Sequence, residues 1–389
     1  MSSHCQPIAA FPFCSRPAAD RLPPSADCLW LWPSGVMPET VPSVEAFIHR
    51  LPKVELHLHL EGSVRTETLL ELSRAKGRLR KETEDWISQR TRRGFRYSSF
   101  KEFLKAFKLV ALLLETPSDY ALITSRLMEW LALQNVKYAE ITLSAGVLLW
   151  KKQSVPAVFE AVAQAANETG SRLGVRGNWI FDSVRQFGPD HARAVLRWAA
   201  RFRSAGVVAF GIGGDEKRGP AKHFVEVYRE ASDLGLHLTA HAGETEGPES
   251  IRQSIELLRA ERIGHGLTAA RDEALMSLLR DRCIPLEVCP SSNVCTGVLP
   301  TLEDHPLPRF LRSGLVVTLN SDDPAMFGTS LEGEFVLAAR TFGLHQREIL
   351  RLSENAIRSA FLPESEQAKL LAELRQVAGK AAIEKGFRF

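Results

Sequence analysis

A repeated alternation constrains this chain more than any other feature. From Val54 onward, short apolar and β-branched runs alternate with segments of helical spacing, about eight strand-then-helix steps in all. The strand candidates read VELHLHLEG (54–62), VKYAEITLS (136–144), GVRGNWIFD (174–182), VVAFGIGG (207–214), HLTAHAGE (237–244), RIGHG (262–266), PLEVCPSSN (285–293) and VVTLNSDDP (316–324). Between them, helical spacing recurs in Tyr120–Leu133, Val155–Ala166, His191–Phe202 and Phe224–Leu234. Strands alternating with helices imply a parallel sheet. No glycine-rich dinucleotide fingerprint follows the first strand, so the expectation is a closed (β/α)8 TIM-type barrel rather than an open Rossmann sheet.

Two regions exceed a minimal barrel. Residues 80–116 form a helical insert after the first strand, in which Phe100, Phe103, Leu104 and Phe107 share one helical face. That face either packs into the core or covers a site as an apolar lid, because loops after barrel strands build the site. From about Leu331 the chain reads as extra C-terminal helices. Residues 1–36 differ from the rest. They are rich in Pro, Ser and Cys, lack periodicity, and lack the basic start and apolar core of a signal peptide. The expectation is a disordered extension ahead of a native start at Met37, with residues 37–389 forming a single barrel domain.

Composition narrows the partners. A net charge of +3 over 389 residues, with no basic run interleaved with aromatics, argues against nucleic acid and against a membrane surface. No apolar stretch is long enough to span a bilayer. None of the six cysteines forms a CxxC pair, and a chain this long needs no disulfide staples, so a cytoplasmic location is expected. Cys283, Cys289 and Cys295 read as buried free thiols. The chain carries no signature of a particular oligomeric state.

Polar residues gather where a barrel would bring strand ends together. In the first strand His57 and His59 alternate with leucines and share a face. His241 and Glu244 end the fifth strand, His265 the sixth, and Asp322 and Asp323 the eighth, while Ser292 and Asn293 follow the seventh. Each is ordinary alone: a lone histidine is usually structural, and Asp before Pro often makes a turn. Four strands offering such groups at one end is a different matter, because every buried polar group needs a partner. Three imidazoles and a carboxylate, His57, His59, His241 and Asp322, suit one zinc ion with a position left for water. A two-metal barrel site often adds a bridging lysine after the fourth strand. Here that end reads GIGGDE with Lys217 beyond it, which favours a single metal.

The ordered set VELHLHLEG, GGDE, HAGE, IGHG, CPSSN and NSDDP resembles the adenosine deaminase family of the amidohydrolase superfamily, from about Lys53 to Ser359. The resemblance implies a zinc-dependent barrel that hydrolyses the exocyclic amine of a 6-aminopurine to the 6-oxo product and ammonia. It places one zinc per subunit on His57, His59, His241 and Asp322. It makes Glu244 the proton donor to ring nitrogen N1, His265 the group that orients water, and Asp323 a second carboxylate for water and purine. It gives the backbone of Gly214 the contact to N3, and it makes Phe100, Phe103, Leu104 and Phe107 an apolar lid. The implied enzyme is a hydrolase of C–N bonds in cyclic amidines, with a small purine nucleoside or base as its partner.

Departures from the family pattern fall at the sugar end. Glu61 stands where typical members carry Asp at a sugar-contacting position, Gly211 replaces an acid before the GDE motif, and CPSSN replaces a more aromatic version. The expected substrate is therefore a 6-aminopurine nucleoside, adenosine or a derivative. The alternatives are aminodeoxyfutalosine of the futalosine route to menaquinone, free adenine, and N6-methyl-AMP. Arg92, Arg93 and Arg96 would suit a phosphorylated substrate or simply form a solvated face. An inactive metal-binding relative is the non-enzymatic alternative. A binding module would not need Glu244 and His265 beside a metal.

Overall fold

A computed structural model describes residues 43–77 and 95–384, with side chains described through 379. The expected N-terminal extension and most of the arginine-bearing part of the insert lie outside the described residues. Eight strands run β1 (Lys53–His59), β2 (Val136–Leu143), β3 (Arg176–Val184), β4 (Val207–Gly213), β5 (His237–Ala242), β6 (Arg262–His265), β7 (Leu286–Val288) and β8 (Val317–Leu319). Each pairs in parallel with the next, in the order β1 to β8. β1 is buried along its whole length, as a barrel strand walled by helices must be.

The seam between β8 and β1 closes differently. Beyond β8 the backbone N–H of Asp322 donates to the His57 carbonyl at 3.1 Å, and His59 N–H donates to the Asp322 carbonyl at 2.8 Å. The Asn320 side-chain oxygen accepts the amides of Leu56 and His57 at 3.0 and 3.2 Å. A side chain thus completes the ladder where the short β8 cannot.

Helices form where caps and spacing demand them. Thr116 and Asp119 make a reciprocal capping box at the start of Pro117–Leu133, with Pro117 in the first turn. Ser154 caps Val155–Leu173, which ends on Gly174 at φ 71°. Ser99 caps the insert helix Phe100–Leu113. Three helices, Leu331–Phe342, Gln346–Ser359 and Glu364–Glu384, complete the C-terminus as expected. Among the described residues no helix is long and apolar enough to cross a membrane.

The last two strand candidates prove shorter than their sequence suggests. β7 stops at Val288, and Pro290 opens a short helix, Pro290–Cys295. Proline lacks the N–H a ladder needs but suits the first turn of a helix. β8 stops at Leu319, and Asp322 turns into the left-handed region at φ 61°.

A buried cation ties the barrel to the C-terminal helices. Arg262 on β6 is ion-paired with Glu140 on β2 and reaches Glu287 on β7 at 2.6 Å. It also donates to the Ser359 carbonyl at 2.8 Å and lies 3.8 Å from the Phe361 ring. Removing one partner of such a group strands the others in a low dielectric. Arg262→Ala should therefore cost about 3–5 kcal/mol, read as a shift in urea unfolding.

Candidate active site

Four side chains converge where the seam closes. His57 and His59 come from β1, His241 from β5 and Asp322 from the turn after β8. The His57–His241 ring centroids are 4.5 Å apart, and His59 lies 5.4 Å from each of the other two. Asp322 Oδ1 sits 3.4 Å from His57 Nε2 and 3.3 Å from His59 Nε2. Ser292 donates to Asp322 Oδ2 at 2.7 Å. His57 Nδ1 meets Glu287 at 2.9 Å, so Nε2 is the nitrogen that faces the centre. Metal-binding histidines are oriented in this way by a carboxylate on the far ring nitrogen.

The electrostatics fit a cation. Burial pushes the Asp322 carboxyl up, but the imidazoles of His57 and His59 beside it outweigh that and hold the group well below its usual range. Burial opposes charge on His57, yet Asp322 and Glu287 carry it up to about 10. His241 is driven well down by burial and by His57, into the neutral form a ligand requires. His57 Nε2 is buried without a hydrogen-bond partner. A divalent ion held by these residues would take the place of the protons, and the orphaned His57 nitrogen is a donor suited to it. The donor set of three imidazoles and a carboxylate fits zinc. Cys289 also approaches His57 and Asp322, but burial pushes its thiol far up, which disfavours the thiolate a metal needs.

Glycines make the approach possible. A Cβ on Gly264 would meet the His57 ring at 2.7 Å, and one on Gly62 would meet the Asp323 carboxylate at 1.6 Å. His265 and Asp322 hold positive φ, 63° and 61°, and non-glycine residues in that region concentrate at functional sites.

Beside the cluster stand the groups expected to move protons. Glu244 is buried, and burial together with the charge of Asp322 pushes its carboxyl well above the usual range. Its Oε2 lies 3.7 Å from His265 Nε2. Asp323 is likewise raised by burial and by Asp322, and its Oδ1 has no partner. The loop bearing Glu244 is held by Glu216, which accepts the backbone amides of Gly243, Glu244 and Thr245 at 2.9, 3.0 and 2.8 Å. Arg185 donates to the carbonyls of Gly219 and His241, fixing the strand end from the other side.

A chain of hydrogen bonds sets the His265 tautomer. The Leu307 amide can only donate, and it reaches His305 Nδ1 at 3.1 Å. Neutral His305 therefore carries its proton on Nε2, 3.3 Å from the Asn293 oxygen. The Asn293 amide nitrogen then donates to His265 Nδ1 at 3.2 Å. Burial lowers His265 to about 4 and His305 to about 3, so both are neutral near pH 7. His265 thus presents Nε2–H toward Glu244 and the cavity.

The cavity, about 470 Å³, is lined by Phe100, Phe103, Leu104 and Phe107 of the insert helix, by Gly214, and by His59, His241, Glu244, His265, Asp322 and Asp323. Phe107 stands edge-on to His59 at 6.4 Å, which puts the apolar helix against the cluster. Gly214 adopts φ 95°, and a Cβ there would meet Gln186 at 2.6 Å. Glu61, expected at the sugar end, sits behind Ser144 of the cavity wall. It is fully buried, does not line the cavity, and its carboxylate is engaged by the Ser144 amide at 3.2 Å. Ser144 and Asp182 line the wall instead. Asp182, Glu287 and Arg185 were not singled out in the sequence, and Glu216 entered only as part of the GGDE motif. Their one signal is a charged residue inside or just after an otherwise apolar strand.

The tautomer chain makes Asn293 a positioning residue. Asn293→Leu should lower kcat about 10–100-fold while bound zinc, read by atomic absorption, stays stoichiometric.

The sequence model of the family described as adenosine deaminase matches residues 52–377. An aminodeoxyfutalosine deaminase from Streptomyces avermitilis is 36% identical over 338 residues, covering 86% of this chain and 94% of that protein. An adenine deaminase from Agrobacterium fabrum is 34% identical over 324 residues, covering 83% and 98%. A zinc-bound amidohydrolase structure from Burkholderia ambifaria superposes with a TM-score of 0.79 at 25% identity, covering 90% of this chain and 97% of that one. With the motif residues gathered at one barrel end and the match spanning most of the chain, the protein belongs to the adenosine deaminase family of hydrolytic deaminases.

Proposed function

We propose that this chain hydrolyses the exocyclic amine of a 6-aminopurine nucleoside, adenosine or a derivative, releasing ammonia, with one zinc ion per subunit. The observation that carries the reading is a buried carboxyl pushed toward its protonated form, Glu244, beside neutral His265 and a cluster of three histidines and one aspartate. Similarity to proteins named aminodeoxyfutalosine deaminase and adenine deaminase supports the purine.

A zinc ion held by His57, His59, His241 and Asp322 supplies the charge that brings the pKa of water near ~7. The remaining work belongs to the protein. Glu244, as a neutral acid, donates its proton to purine N1 and makes C6 electrophilic. His265 Nε2–H donates a hydrogen bond to the attacking oxygen and steadies its charge. Asp323, with its unpartnered oxygen, orients the nucleophile and accepts from the purine. The Gly214 backbone contacts N3, and the apolar helix Phe100–Leu113 excludes water that would compete.

The cavity supports a nucleoside over a bare base. Ser144 and Gln186 line it as well and offer partners for sugar hydroxyls. Free adenine would leave that wall unmatched, and buried polar groups without partners weaken binding.

The test is ammonia release from adenosine, adenine, N6-methyl-AMP and aminodeoxyfutalosine, with and without chelator. Turnover of a nucleoside that chelator abolishes and zinc restores is expected. Inactivity of the zinc-loaded protein on every compound would return the inactive-relative reading.

Glu244→Gln should lower kcat by about 10²–10⁴-fold with little change in KM. The sign of the pH dependence follows from the raised pKa. The acid form persists above the ordinary carboxylate range and is lost only as pH rises through the elevated value. Wild-type kcat should therefore fall on an alkaline limb, and the residual rate of the Gln variant should lack it.

A further inference from the structure

A second cavity, about 440 Å³, lies beside the catalytic one. It reaches from exposed Arg271 and Asp304, on the segments after β6 and β7, to buried Thr268 and Glu244. Among the described residues Glu244 alone lines both cavities, so it stands in the wall between them.

Hydrolysis leaves Glu244 short of a proton. One water is consumed per turnover, and its oxygen ends on C6. At neutral pH the amine leaves as ammonium, so both hydrogens of that water end on the departing nitrogen. Product N1 keeps the proton that Glu244 gave, and the cycle closes only when Glu244 draws one from solvent.

The anion left behind is poorly placed. Burial and the charges of Asp322 and Glu216 oppose it, and the amides of its own loop are donated to Glu216. The product's N1–H is the donor that faces it, and this charge-assisted bond holds the product in place. On the catalytic side the product and the apolar helix Phe100–Leu113 keep solvent away. On the other side the second cavity, with Thr268 and Glu246 in its wall, is roomy and polar enough to hold waters.

We infer that Glu244 is reprotonated through this second cavity while product still fills the first, and that this step releases the product. A proton passes from solvent along waters of the second cavity to the Glu244 carboxylate. Neutral Glu244 no longer makes the charge-assisted bond to N1–H, and the purine leaves. The inference rests on the deaminase reading above, in which Glu244 protonates N1.

The experiment fills the second cavity from two walls, with A270F and with L299W, in zinc-loaded full-length enzyme. Both residues line that cavity and not the catalytic one. The substrate is the compound turned over fastest in the ammonia test above. Quench-flow with enzyme in excess reads the first turnover, and a steady-state assay reads kcat. The first turnover starts with Glu244 already protonated and should stay within about 2-fold of wild type, while kcat falls about 10-fold. The kcat of the variants should also slow more in deuterated solvent than that of wild type, with bound zinc still stoichiometric by atomic absorption. Should one variant fail to fold, the other gives the same readout. A folded variant whose kcat is unchanged, or whose first turnover falls in step with kcat, overturns the inference and leaves the deaminase reading standing. Wild-type enzyme that releases no ammonia overturns the deaminase reading, and this inference with it.

Discussion

The seam between β8 and β1 is the constraint on which the site depends. Asp322 closes the barrel with its backbone and meets His57 and His59 with its carboxylate. One residue therefore sets both the circumference of the fold and the centre of the histidine cluster. Its left-handed backbone makes both possible, since an extended residue there would continue β8 and carry the carboxylate past the histidines. Glu55 reinforces the seam from β1 by accepting the Ser321 amide at 2.9 Å. A strained turn is tolerated where the surroundings leave it no alternative.

Buried charge couples this site to the rest of the molecule. Glu287 is shared between Arg262 and His57. Arg262 in turn meets Glu140 and the end of the helix Gln346–Ser359. The carboxylate that orients the His57 imidazole is thus also part of the network holding the C-terminal helices to the barrel. Placing full charges in a core is costly unless each has a partner, and here the partners come from four separate segments. The arrangement trades stability for fixed geometry.

Much of this was legible in the sequence, and the rest was hidden for physical reasons. Alternation of strands and helices revealed the barrel because the hydrophobic period changes between the two. His57, His59, His241, Glu244, His265, Asp322 and Asp323 stood out because they are polar groups at strand ends, and the structure brings all seven together. The length of β7 did not stand out, since Pro290 sits equally well after a strand or at the start of a helix. Glu61 illustrates a different difficulty. Its position in the motif is clear, but the direction of its carboxylate depends on the Ser144 amide, which is distant in sequence. Glu216, Glu287 and Asn293 act by orienting other residues, and spacing along the chain carries no trace of such contacts.

Environment, rather than residue type, separates the roles of the buried acids. Asp322 and Glu244 are both carboxyls removed from water. Asp322 accepts a hydrogen bond from Ser292 and has two imidazoles within 3.4 Å of its other oxygen, and these outweigh the cost of burying its charge. Glu244 has no comparable donor, since the protecting amides of its loop are spent on Glu216, and the nearby charges of Asp322 and Glu216 push it further toward neutrality. One acid is thereby left as an anion fit to hold a cation, and the other keeps a proton to give. The same division extends to the imidazoles: His57 is turned by a carboxylate to present a bare nitrogen to the cluster, while His265 is turned by an amide to present N–H to the cavity. Two kinds of side-chain group, carboxyl and imidazole, yield four chemical functions because each is met by a different neighbour.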